Sequence, residues 1–162
     1  MIVTATRSIA ARLYDEIIAL RPDWHDDSDA KGRIKAVYTA NPSDPEQIKA
    51  HMRRPSAIAA VKQRVKDPDD ELEIVIVKDM MLTGFDAPAL HTLYLDRSIK
   101  GALLMQTLAR VNRTYKGKQD GLLVAYAPLL ENLNAALREF LSLIHISEPT
   151  RREWLSRMPS SA

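Results

Sequence analysis

The chain has 162 residues, enough for one domain with a real core, and its 46% hydrophobic and 27% charged content is ordinary for a globular protein. A net charge of +2 excludes a polybasic surface, so any nucleic-acid contact must come from a local patch. The absence of cysteine excludes disulfides and thiolate metal sites and fits a reducing cytosol, and no apolar run reaches the length of a membrane span. Arg7 and Arg12 interrupt any apolar stretch that a signal peptide would need.

In chain order, Ile2-Val3-Thr4 is a short β-branched run and reads as a strand. Ala10, Leu13, Tyr14, Ile17 and Ile18 repeat at helical spacing, with Pro22 marking the end. Residues 23–29 are acidic and turn-like. Residues 34–38 suit a strand, and 41–45 form a loop that opens a helix expected to run to about Lys66, with Ile58, Val61 and Val65 on one face. Residues 67–70 read as a turn. Leu72 to Val77 is the clearest buried strand, continuous and rich in β-branched residues. Thr92 to Leu95 and Leu122 to Ala125 are two more strands, and Leu129, Leu130, Leu133 and Leu137 mark a last amphipathic helix. Strands alternating with helices predict an α/β layer: a mostly parallel sheet flanked by helices, with right-handed crossovers. Ligands of such sheets collect at the carboxyl ends of the strands.

Two segments carry the chemistry. The first is Leu82-Thr83-Gly84-Phe85-Asp86-Ala87-Pro88, following the clearest strand. The second contains Gln106, Arg110 and Arg113, at i, i+4 and i+7 of an expected helix. Leu104, Leu108 and Val111 share that spacing shifted by two positions, about 200° of rotation, so the apolar stripe can face a core while the Gln/Arg/Arg stripe faces outward. Gly84 permits a positive φ or a close approach to a ligand. Asp86 can accept hydrogen bonds or cap a helix opening at Ala87-Pro88. Thr6 and Arg7 follow the first strand and open a helix, where a phosphate is readily held or Thr6 simply caps. Lys78 and Asp79 are weaker candidates of the same kind, as is Lys116-Gly117-Lys118. His91 reads as a packed or capping residue and Trp24 as a loop anchor. His25 and His51 lie in polar surroundings without metal-ligand spacing.

These segments resemble a known family. Thr83-Gly84-Phe85-Asp86 is similar to motif V of superfamily-two helicases, Q-x-x-x-R-x-x-R at 106–113 to motif VI, and Met1 to Arg7 to motif IV. The wording of 79–80, 82–88, 91–96 and 109–113 is close to the second motor domain of the restriction (R) subunit of type I restriction–modification enzymes. The resemblance spans roughly residues 1–140. It implies a RecA-like fold of the P-loop NTPase type. It also implies Arg113 as an arginine finger with Arg110 beside it at a γ-phosphate, Gln106 at a domain cleft, and Asp86 on ribose hydroxyls next to Gly84. Thr6, Arg7 and Thr83 would touch a DNA backbone. The implied cofactors are ATP and Mg²⁺, and the implied partners are duplex DNA, the first RecA-like and nuclease domains of a longer chain, and methyltransferase and specificity subunits. The implied location is the cytoplasm of a bacterium or archaeon.

The sequence holds no G-x-x-x-x-G-K-[ST] and no acidic pair in a magnesium-holding context, so half an ATPase site is expected and no turnover by this chain alone. Another superfamily-two translocase, or a non-catalytic nucleotide- or DNA-binding α/β module, remains an alternative. From Leu141 onward the residues read as a translated sequencing adaptor. Leu141 to Arg151 matches a transposase mosaic end running into its adaptor. Ser156 to Ala162 matches a distal flow-cell adaptor, with an index between them. The expected organisation is therefore a motor domain over 1–140, truncated at both ends, and an unstructured tail over 141–162.

Overall fold

The computed structural model describes residues 1–126 and 128–147. Its strands are β1 (Ile2–Thr4), β2 (Ile34–Val37), β3 (Ile74–Val77), β4 (Thr92–Asp96) and β5 (Leu122–Ala125). They form one five-stranded sheet in the order β2-β3-β1-β4-β5, and every pairing is parallel. The helices are α1 (Arg7–Leu20), α2 (Glu46–Lys49), α3 (Pro55–Lys66), α4 (Gly101–Val111) and α5 (Leu130–Ser147), with a 3₁₀ turn at Pro22–Trp24. This is the expected α/β fold, consistent with a RecA-like domain. Among the described residues no helix is long and apolar enough to cross a membrane.

Side chains alternate across the sheet and so divide the core in two. On one face Ile34, Ala36 and Ile76 pack against Ala10, Ala11 and Tyr14 of α1. On the other, Val3, Val75, Val77, Leu93 and Leu95 meet Val61 of α3 and Leu104 and Val111 of α4. The chain therefore leaves β1 over one face and leaves β2 and β4 over the other, with β1 at the switch point. β1 lies between β3 and β4, so the segments following β1 and β3 emerge side by side at the carboxyl edge.

Three expectations are corrected. The single helix expected from residue 45 to Lys66 is two, α2 and α3, separated by 50–54. Pro55 starts α3 at its first turn, and the residue before a proline is driven out of the helical region; Arg54 is extended at φ −69 and ψ 155. Helix α4 ends at Val111 with Asn112 as its C-cap, so Arg113 stands in the loop beyond the helix rather than on its face. The segment 141–147, expected to be unstructured, continues α5, because a nucleated helix extends at little cost per residue. Residues 148–162 of the expected tail lie outside the described residues.

The loop between α1 and β2 is tied down by buried cations. Lys35, fully buried, donates to the carbonyls of Asp26 (2.6 Å) and Ser28 (2.7 Å). Arg53 pairs with Asp29 at 2.6 Å and donates to the Ala36 carbonyl, which covers part of edge strand β2. Burial, with like charge from Arg53 and Arg64, lowers the Lys35 pKa despite the nearby carboxylates.

His51 is not in polar surroundings. It is 8% exposed, with the Tyr14 ring 4.4 Å and the Tyr38 ring 6.1 Å away between centroids. Burial, assisted by Arg53, lowers its pKa below the ordinary 6.5. The fold thus favours the neutral imidazole. The stabilisation is complete above pH 6.5 and is lost as pH falls below it through the lowered folded value. Urea midpoints followed from about pH 7.5 to about pH 5 should decline by at most about 1.4 kcal/mol per pH unit from this group. His51→Phe should flatten that decline. An unchanged slope in the variant would assign it elsewhere.

Candidate functional site

The two chemistry-bearing segments meet. The connection from β3 to β4 crosses over β1 without a helix, and along it Met81 and Gly84 both adopt left-handed backbone, φ 67 and φ 64. Glycine accepts this freely, whereas a side chain such as Met81 does so at a cost of roughly 1 kcal/mol or more. Met81 is held there by burial at 3% exposure and by Arg110, whose Nη1 donates to the Met81 carbonyl at 2.9 Å. Phe85 is buried in the core beside α3, with the Lys66 ammonium 5.6 Å from its ring centre. That anchor turns the neighbouring Asp86 outward, where its carboxylate lies 2.9 Å from Arg113 Nη1. Both partners remain half exposed, Arg113 at 51% and Asp86 at 60%. Asp86 does not cap a helix, since none opens at Ala87-Pro88.

Gln106 is exposed on α4, on the same side as Arg110, and Thr83 and Gly84 are exposed beside the crossover. Arg110, Arg113 and Asp86 therefore form one cluster where the crossover meets the end of α4. Since α4 leads from the carboxyl end of β4 back to the start of β5, this cluster is displaced from the carboxyl edge.

Thr6 and Arg7 lie at the carboxyl edge itself. Thr6 is the N-cap of α1, its hydroxyl accepting from the Ile9 amide at 3.1 Å. Arg7 forks onto Asp44 at 2.5 and 3.0 Å and donates to the Thr39 carbonyl at 3.0 Å, which stitches α1 to the loop after β2. The Asp44 carboxyl is held below its usual range, first by the Asn41 amide and then by Arg7. Next to them, Asp79 pairs with both Lys78 and Arg97, bridging the ends of β3 and β4 above β1. These two cations, Lys78 first, hold its carboxyl below the usual carboxylate range against partial burial. Arg97 belongs to no motif in the sequence; its only signal there is that it follows a strand. His91 is exposed, with Nδ1 2.8 Å from the Thr92 hydroxyl, and Trp24 is half buried in its turn, as an anchor should be. Among the described residues no group of three or more acidic or histidine ligands gathers to hold a metal ion.

Comparison with known proteins gives a consistent result. A family model described as type I restriction enzyme subunit R domain 3 matches residues 25–128. The type I restriction enzyme HindI endonuclease subunit of Haemophilus influenzae is 44% identical over 143 residues, which are 86% of this chain and 14% of that protein. A putative type I restriction enzyme MjaIXP endonuclease subunit of Methanocaldococcus jannaschii is 37% identical over 143 residues, 88% of this chain and 13% of that protein. In Staphylococcus aureus, the SauCOLORF180P endonuclease subunit is 42% identical over 81 residues, 49% of this chain and 8% of the subunit. The chain thus spans about a seventh of the length of the first two relatives.

Proposed function

The chain belongs to the type I restriction enzyme subunit R domain 3 family, and from that premise we propose that it is the second RecA-like motor domain of an ATP-dependent restriction endonuclease subunit. In the parent, a first RecA-like domain would carry the P-loop and hold ATP and Mg²⁺. This domain would close on it and bring Arg113 and Arg110 to the γ-phosphate and Asp86 to the ribose. A planar, permanently charged guanidinium suits that task, because phosphoryl transfer leaves negative charge on the γ-phosphate oxygens. Alternate closing and opening would drive duplex DNA past the carboxyl edge, coupled to cutting by a nuclease domain. Methyltransferase and specificity subunits would complete the assembly.

The observation that supports this reading best is the meeting of the two motifs: Arg110 on the Met81 carbonyl and Arg113 on Asp86, across 29 and 27 residues of sequence. Thr6 and Thr83 are exposed for DNA-backbone contact, which should be salt-sensitive and nearly independent of sequence. Arg7, engaged by Asp44, would reach a phosphate only by leaving that carboxylate.

The reading leaves the chain with half a catalytic site. The purified 162-residue chain should therefore hydrolyse no ATP above background, with or without duplex DNA, and should match its Arg113→Ala variant. DNA-stimulated phosphate release above that variant would mean a complete site within this chain and would overturn the proposal.

A further inference from the structure

Past the end of α4 the chain makes a small hairpin. Tyr115 and Lys118 exchange backbone hydrogen bonds of 3.0 and 2.8 Å. Between them Lys116 and Gly117 both have positive φ, 41 and 90, the pattern of a two-residue type I′ turn. The hairpin folds Lys118 back onto the molecule. Its ammonium donates to the carbonyls of Pro88 (3.2 Å), Leu90 (2.6 Å) and Val111 (2.7 Å). Three N–H groups meet three acceptors, which satisfies the ammonium completely.

The three carbonyls belong to two elements. Pro88 and Leu90 lie at the end of the crossover that carries Asp86, and Val111 is the last residue of α4, two before Arg113. A helix C-terminus presents unpaired carbonyls and partial negative charge, so a cation there is favourable. A second feature converges on the same carbonyl. Gly121 passes so close that a Cβ added to it would stand 2.2 Å from the Val111 oxygen. The end of α4 is thus backed by a glycine that admits no side chain and capped by a lysine that ties it to the crossover. Partial burial lowers the Lys118 pKa, as a withdrawn ammonium should show. Lys118 is therefore a tether rather than a phosphate contact.

We propose that Lys118 is the positioning residue of Arg113: by joining the carbonyls of Pro88, Leu90 and Val111, its ammonium fixes the spacing between the Asp86 crossover and the helix end from which Arg113 projects. The structural part stands on this chain alone, and the catalytic part rests on reading Arg113 as the finger. Misplacing a catalytic group by about an ångström can cost up to about 100-fold in rate, so a tether at this point has a large lever.

The test has two arms. In the 162-residue chain, Lys118→Met keeps the apolar stem and removes the ammonium. Amide exchange should quicken about tenfold or more at 89–91 and 110–113. It should stay unchanged in β1, β3 and β4, and the Arg113 side-chain Nε–H resonance should shift. Unaltered exchange and an unmoved resonance would overturn the tether. In a full-length R subunit carrying this domain, Lys118→Met should lower kcat for DNA-stimulated ATP hydrolysis about tenfold or more at unchanged KM. Lys118→Arg should restore part of it. The Lys118→Met/Arg113→Ala double variant should be no slower than Arg113→Ala alone. Additive losses would reduce Lys118 to general stability and overturn the positioning role. A silent Arg113→Ala would remove the finger reading instead, while the first arm would still report the tether.

Discussion

Arg113→Ala in a full-length R subunit carrying this domain should lower DNA-stimulated ATP turnover by roughly 10³-fold or more, the range an arginine finger supplies. The loss should fall on kcat with little change in KM, because a finger that meets the γ-phosphate on closure contributes in the transition state rather than on binding. Folding cannot account for such a loss. Arg113 is 51% exposed beyond the end of α4, and its partner Asp86 is 60% exposed. A solvent-exposed ion pair of this kind contributes only about 0–1 kcal/mol. Arg113→Lys should recover little, since a point charge does not reproduce the planar fork. Steady-state phosphate release over a range of ATP concentrations measures both parameters. Turnover within a factor of about ten of the parent would fit a non-catalytic binding module better than a motor.

Arg64→Ala should have the largest effect on stability. Arg64 is 7% exposed on α3 and joins that helix to two other segments, the loop at 29–32 and the turn at Asp70. Its Nε donates to both Asp70 oxygens at 2.9 and 3.0 Å, its Nη1 to the Asp29 and Lys31 carbonyls at 3.2 and 2.8 Å, and its Nη2 to the Gly32 carbonyl at 2.9 Å. Arg64 holds the Asp70 carboxyl below its usual range. Truncation leaves three carbonyls and a carboxylate without their donor. Breaking a largely buried charge network from one side costs about 3 kcal/mol or more, against a total of about 5–15 for a domain. The urea midpoint should fall accordingly, and Arg64→Lys should restore only part of it, because an ammonium cannot span the same fork. A shift under about 0.5 kcal/mol would place this network among ordinary surface contacts.

Much of the fold follows from patterns the chain displays locally. The run Ile74–Val77 is apolar at every position because both of its faces are covered by helices, and α1 shows its buried stripe through Ala10 and Tyr14. The alternation of such runs was enough for a parallel α/β sheet. What stayed hidden depends on distant carbonyls, which carry no side-chain signature. Arg64, Lys35 and Lys118 look like solvated cations in the sequence, yet each is folded onto backbone oxygens. The Arg113–Asp86 contact joins residues 27 apart, and the break at 50–54 is set by one proline, Pro55, within residues whose spacing otherwise suits a single longer helix. The site was legible as residue types in order. Its geometry was not, because helical spacing alone placed Arg113 on a helix that ends before reaching it.

As the proposed motor domain, this chain would be one half of an ATPase whose other half is encoded alongside it. The most direct measurement is to sequence the source genomic DNA for a few kilobases upstream of the codon for Met1. An open frame that runs continuously into this one and encodes G-x-x-x-x-G-K-[ST], an acidic magnesium motif and, before them, a carboxylate–lysine nuclease cluster is the expected result. A stop codon close upstream, with no P-loop in frame, would leave Arg113 without a nucleotide to reach and would overturn the motor reading.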